Sequence, residues 1–291
     1  MALTGLFLCL FLVGHLLGNL QLIFITGEEG QQAFNEYAYF MTHNPFIKIL
    51  SYLTYISILF HAIDGILLTI QNKKARPVNY AYNKPERNSS LPSRYMAILG
   101  TAILIFIIMH MSNFWAKMHF DEMPLHKVER ITEQEQVVDM EGNTVSFTDT
   151  SSYYLTIKGD FIPVAVFEGD EQREAQAEIK DGTEFYDVGR DLKFGEGYKD
   201  LHSVTLAFFG HDKTMEADLP ANKYALIAVL LYVLAMAVLA FHLWHGFASA
   251  FQTLGFNNEK YTSLLSGFGK VFSILVPLAF AVIPVILFLT K

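Results

Sequence analysis

The sequence predicts an all-α integral membrane protein: a five-transmembrane-helix bundle with a small, strand-rich polar insert between helices 3 and 4. Three observations predict it. Five segments are long and apolar enough to cross about 30 Å of hydrocarbon, which takes about 20 helical residues. Charge is segregated: residues 117–223 hold 23 Asp and Glu against 11 Lys and Arg, while the rest of the 291-residue chain holds 6 against 10. Four of the five apolar segments also carry a histidine deep inside.

The apolar segments run roughly over 3–25, 46–70, 95–116, 224–250 and 265–290. Each must be helical, because a backbone exposed to lipid has to satisfy its own hydrogen bonds. The first lacks the charged start and small-residue cleavage site of a signal peptide, so it reads as a retained span. The last contains Pro277 and Pro284, each of which removes a helix hydrogen bond and predicts a kink. Residues 71–94, "QNKKARPVNYAYNKPERNSSLPSR", hold six Lys/Arg and one acid, the signature of a cytoplasmic loop. Residues 26–45 hold three Glu and no Lys or Arg, and read as an outer loop. Alternation places the N-terminus inside, with the 117–223 block and the C-terminus outside. The chain thus divides into 1–119 (helices 1–3), 120–198 (an acidic extracytoplasmic insert) and 199–291 (an outer amphipathic segment and helices 4–5).

Within the insert, "NTVSFTD", "SYYLTIK" and "FIPVAVF" read as strands, being β-branched and aromatic, with a turn at Lys158-Gly159-Asp160. "DEQREAQAEIKDG" reads as a short charged helix or loop. "YKDLHSVTLAFFG" has two readings: Leu201, Val204 and Phe208 share a helical face, whereas "SVTLAFF" has strand composition. The single cysteine, Cys9, excludes an intrachain disulfide, a thiolate metal site and thioether-attached haem.

The four intramembrane histidines are His15, His61, His110 and His242. One such residue is as readily a helix-packing contact as a ligand. Four in four spans each demand a partner of their own. At 1.5 Å per residue, His15 and His110 lie about 18 and 22 Å up outward-running spans, and His61 and His242 about 22 and 27 Å down inward-running ones. The histidines therefore sort into an outer and an inner pair, the pattern that two stacked bis-histidine haems b require. Zinc would want three or four protein ligands at one level. Gly14, Gly18, Gly65 and Gly246, near the histidines, would let a flat macrocycle approach the backbone, although helix packing explains small residues equally well. His245 sits one turn nearer the cytoplasm than His242 and reads as an outer-sphere residue. Asp64, three residues after His61, has four readings: a hydrogen bond to a ligand imidazole, a water-mediated contact to a propionate, proton transfer, or, equally well, a bundle-internal hydrogen bond with no catalytic role. His43, His119, His126, His202 and His211 read as solvated surface residues.

The runs "MALTGLFLCLFLVGHLLGNLQL", "AFNEYAYFMTHNP", "SYLTYISILFHAIDGILL", "AILGTAILIFIIMHMSNFW" and "LAFHLWHGFASAFQTLGF…KYTSLLSGFGK" occur in order over 1–119 and about 199–291. In these the chain resembles the cytochrome b membrane anchor of succinate:quinone oxidoreductases (succinate dehydrogenase/fumarate reductase), of the single-chain, five-helix, di-haem kind found in Bacteroidetes and related bacteria. The resemblance implies two haems b: a distal one held by His15 and His110 near the outer face, and a proximal one held by His61 and His242 near the cytoplasm. It implies menaquinone as substrate. It also implies a flavoprotein carrying covalent FAD and an iron–sulfur protein, docked on the cytoplasmic loops 71–94 and 251–263 of a bacterial inner-membrane complex. Dicarboxylate chemistry would belong to those partners, and no catalytic residue is assigned in this chain. Glu36 and His43, with Glu28 and Glu29, lie near the expected distal haem as candidates for handling quinol protons, although exposed charges closing a loop explain them equally well. Two departures stand out: the chain starts almost at its first span, where relatives carry a short basic lead-in, and the block at about 127–197 is longer than the family's loop.

Other classes fit less well. A proton-coupled transporter with histidine relays predicts a polar path or repeated halves, and only Asp64 fits. The cytochrome b of quinol–cytochrome c reductase places two ligand histidines on each of two helices, whereas here each of four spans supplies one. A sensor would need a cytoplasmic output domain.

Overall fold

The structure is a computed structural model. It describes residues 1–75, 77–78, 84, 87, 89–138, 144–164, 166–168, 171–173, 177–210, 219–220, 222–256 and 258–290. Part of the basic 71–94 segment and all of His211 therefore lie outside the described residues.

Helix α1 (Ala2–Phe24) ends at extended Ile25, and the chain turns through Gly27 at φ +70° into α2 (Gly27–His43). The segment expected as an outer loop is thus mostly helix. Its signal is a helical stripe, with Gln31, Phe34, Asn35 and Ala38 buried at i, i+3, i+4 and i+7. Glu28 and Glu29 in the first turn complement the helix dipole. Asn44 then caps α3 (Pro45–Ala75), its Oδ1 accepting from Phe46 N–H at 2.9 Å, and proline occupies the first helical position.

The short α4 (Leu91–Arg94) leads into α5 (Met96–Asn113), which is separated from α6 (Trp115–Phe120) by a break at Phe114, φ −124° and ψ −60°. After the insert come α7 (Leu201–Phe209), α8 (Ala225–Thr253) and α9 (Glu259–Thr290). Helix α9 remains one helix across Pro277 and Pro284. Five helical runs are long and apolar enough to cross a membrane: α1, α3, α5–α6, α8 and α9. Helices α8 and α9 pack along each other, and α1 contacts α3, α8 and α9.

The insert is a set of small antiparallel sheets. Strands β1 (Lys127–Val138) and β2 (Thr144–Leu155) form a long hairpin, and β3 (Phe161–Pro163) adds to β2 across the turn at Gly159, φ +88°. Strands β4 (Val166–Glu168) and β5 (Glu171–Arg173) pair, and β6 (Ala177–Lys180), β7 (Glu184–Asp187) and β8 (Leu192–Glu196) make a meander. The stretch expected as a charged helix or loop therefore contributes β5 and β6. Strand β1 was not expected from sequence; its run of Glu and Gln dilutes the apolar alternation. The ambiguous 198–210 stretch resolves as helix: Asp200 caps α7 by accepting from Ser203 N–H at 3.0 Å. The insert closes on Phe185, which is fully buried against Leu125 and Ile162.

Two apolar clusters organise the bundle. One joins Leu16 and Leu22 of α1 to Phe34, Leu206, Phe209, Val229, Tyr232, Ile283 and Leu287; the other gathers Cys9, Leu243 and Phe247 nearer the start of α1. Packing is uneven: α5 has no buried residue and α3 only Thr54.

Candidate functional site

The structure brings His15 of α1 and His110 of α5 together, with ring centroids 5.8 Å apart and planes 79° apart. It brings His61 of α3 and His242 of α8 together at 6.2 Å and 66°. Two imidazoles on opposite sides of one metal ion, each bonded at about 2.0 Å, have centroids roughly 6 Å apart. Among the described residues no group of three or more His, Cys, Asp or Glu is placed to hold a metal ion. Each pair is thus suited to a centre that needs two protein ligands only.

The separation between pairs can be read from two helices independently. Thr4 and Gly5 of α1 touch the His61 ring, and His15 lies ten to eleven residues further along α1. Tyr232 of α8 touches His110, and His242 lies ten residues further along α8. Both intervals give about 15 Å along the bundle. The His15/His110 pair lies at the end capped by α2 and α7, within the cluster of Leu16, Phe106, Met109, Phe114 and Phe209. The His61/His242 pair lies at the opposite end.

The hydrogen bonds of these rings involve Nδ1. Thr4 Oγ1 lies 3.3 Å from His61 Nδ1, Tyr232 Oη 3.3 Å from His110 Nδ1, and Asn19 Nδ2 3.4 Å from His15 Nδ1. Asn19 Nδ2 also donates to the His15 carbonyl at 2.8 Å. His242 Nδ1 is buried without a partner among the described residues. A side-chain partner on one ring nitrogen leaves the other available as a ligand, which is how metal-binding histidines are usually oriented. Aromatic rings wall the outer pair: Phe11 stacks on His15 at 5.4 Å, Phe280 lies 5.6 Å from it, and Phe106 stacks on His110 at 5.8 Å.

Whether a porphyrin fits is tested by what the bare bundle leaves unfilled. A Cβ at Gly14, beside His15, would meet nothing within 4 Å. Gly5 and Gly100 lie against His61 and His242, where a Cβ would come 3.1 and 3.6 Å from Cε1. The residues present fit a flat apolar group held between two imidazoles. The other expected glycines do different work: Gly18 makes room for the Tyr37 ring, Gly65 faces Met1 and Gly246 faces Met96.

The remaining expected residues are dispersed. Asp64 makes its hydrogen bond to the Met1 ammonium at 2.6 Å, not to the His61 ring. Glu36 is exposed and accepts from Gln32, while Glu28 pairs with Arg130 at 2.6 Å. His43 is exposed and stacked on Tyr39 at 3.9 Å, its Nδ1 2.9 Å from the Tyr39 carbonyl. His245 is partly buried one turn beyond His242.

Two expectations are corrected. His126 and His202, read as solvated, are buried, at 0% and 5% exposure. Both sit where the insert docks on α2. There Asp200, fully buried, accepts from Gln31 Nε2 at 2.8 Å, Asn35 Nδ2 at 2.8 Å and Ser203 N–H. His202 N–H in turn donates to Asn35 Oδ1 at 2.9 Å. His126 N–H donates to the Tyr198 carbonyl, and neither nitrogen of its ring has a partner. Burial pushes the His126 imidazole below the usual histidine range, against the opposing pull of the Asp200, Glu28 and Glu36 carboxylates. The bonds from Gln31 and Asn35 to Asp200 and His202 link residues more than 160 positions apart, so local sequence does not announce them.

Comparison with protein-family models, with curated proteins and with solved structures finds no match.

Proposed function

We propose that the chain is the di-haem cytochrome b membrane anchor of a succinate:quinone oxidoreductase, passing electrons between an iron–sulfur subunit and menaquinone. The observation that supports this best is the pair of histidine pairs: four helices each supply one imidazole, and the rings meet two by two near 6 Å. A haem iron held by two imidazoles supplies reversible one-electron chemistry with no open coordination site.

In this reading His15 and His110 hold the distal haem, and His61 and His242 the proximal one. The aromatic walls around His15 and His110 exclude water from the distal one. The basic 71–94 segment faces the cytoplasm with the flavoprotein and iron–sulfur partners, and the insert and C-terminus lie outside, in a bacterial inner membrane. Glu36 and His43, exposed on α2 at the distal end, are placed to exchange protons with the outer aqueous phase.

The test is a haem count on the purified chain. A reduced-minus-oxidised b-type spectrum and two haems per chain by pyridine haemochrome are expected. Replacing His61 or His242 with Ala should remove the same haem, and replacing His15 or His110 the other. A preparation with no haem ends the reading, and loss of the inner haem in His245→Ala but not in His242→Ala corrects the ligand.

A further inference from the structure

Thr4 Oγ1 lies 2.8 Å from the Met1 carbonyl oxygen and 3.3 Å from His61 Nδ1. A hydroxyl has one proton and a carbonyl oxygen has none to give, so the Thr4 proton is committed to Met1. What Thr4 turns towards His61 is a lone pair. The hydrogen bond therefore forms only when His61 Nδ1 carries the ring proton, which leaves Nε2 bare. In the other pair, Tyr232 Oη stands at the same 3.3 Å from His110 Nδ1, but no carbonyl among the described residues takes up its proton, so that contact does not decide which of the two donates. The two hydroxyls come from exchanged positions: α1 carries His15 of one pair and Thr4 serving the other, while α8 carries His242 of one pair and Tyr232 serving the other.

We propose that Thr4 is a positioning residue that fixes the tautomer of His61, presenting Nε2 as the ligating nitrogen. This rests on the proposed function. An Nδ1–H donated to a hydroxyl oxygen makes the imidazole a more basic ligand, which favours the ferric state of the iron it holds. Removing that acceptor raises the midpoint potential of that centre and leaves the other unchanged. A tenfold shift in the ferric–ferrous balance, the low end of what such partners contribute at metal sites, corresponds to about 59 mV for one electron.

The experiment is a spectroscopic redox titration, with dithionite and mediators, of the purified full-length chain and of Thr4→Val, Thr4→Ser and Tyr232→Phe. The two centres are told apart beforehand by the His61→Ala and His110→Ala spectra. Thr4→Val should raise the potential of the inner centre alone, Thr4→Ser should restore it, and Tyr232→Phe should leave the inner centre unchanged. If both haems are present and neither potential moves, or if Thr4→Val moves both centres together, the inference is overturned while the proposed function stands. A wild-type chain without haem overturns the proposed function itself. Should Thr4→Val lose the inner haem outright, Thr4→Ser is compared with Thr4→Ala: retention by serine and loss by alanine support the inference, and equal behaviour overturns it.

Discussion

Asn35 holds two partners at once in a place that water does not reach. Its Nδ2 donates to the buried Asp200 carboxylate at 2.8 Å, and its Oδ1 accepts from the His202 amide at 2.9 Å. Replacing it with alanine withdraws one of the three donors on Asp200 and orphans the amide. A hydrogen bond to a charged group contributes about 1.5–3 kcal/mol, and an unsatisfied buried donor costs about 1–3 kcal/mol. The two losses fall on one network and do not simply add, so the expected total is about 3 kcal/mol. Opening of α7 away from α2 should then become easier by roughly two powers of ten. Native-state hydrogen exchange reads this directly: in Asn35→Ala, amides of 202–209 should exchange about a hundredfold faster than in the wild type, while those in the middle of α8 stay put. An acceleration below tenfold would show that the network does not hold the insert to α2, and would refute the reasoning.

Three further outcomes follow from the same contacts. His126, its imidazole held below the usual range by burial, binds a proton in the unfolded chain before it does in the folded one. Stability is therefore complete above about pH 6.5 and declines as pH falls below it, by at most about 1.4 kcal/mol per unit. His126→Leu should flatten that part of the slope in thermal melts between pH 7.5 and 5.5; an unchanged slope would refute it. A Cβ on Gly30 would stand 2.2 Å from the Ile25 carbonyl oxygen, whereas one on Gly14 meets nothing within 4 Å. Gly30→Ala should accordingly destabilise the haem-free chain by about 1–3 kcal/mol in detergent melts, and Gly14→Ala should leave that haem-free form unchanged. The Arg130–Glu28 ion pair is more than 40% exposed on both sides, so Arg130→Ala should shift stability by less than about 1 kcal/mol, measured the same way.

The five apolar helices were legible because a span announces itself within a single window of sequence: length, hydropathy and a near absence of charge all lie in one stretch. Helix α2 was less legible because its charge invited a reading as loop, although Gln31, Phe34, Asn35 and Ala38 already stood at helical spacing. The strands β5 and β6 carry almost no alternation, and only their pairing with β4 and β7 makes them strands. Depth along each span suggested which histidines would meet. The side chains that touch their Nδ1 atoms were out of reach: Thr4 and Tyr232 look like ordinary span residues until helix packing sets them against His61 and His110. Burial of His126 and His202 is likewise a product of tertiary docking, decided by α2 residues far away in the chain.

That α5 buries none of its side chains, and α3 only Thr54, bears on how such a chain survives in a cell under the proposed function. In that reading a haem held between α1 and α5, and another between α3 and α8, stabilises the native form by an amount that grows with the logarithm of its free concentration. Synthesis in a strain starved of tetrapyrrole should therefore yield a chain that proteases clear, and its abundance in the envelope should follow porphyrin supply more closely than its own transcript.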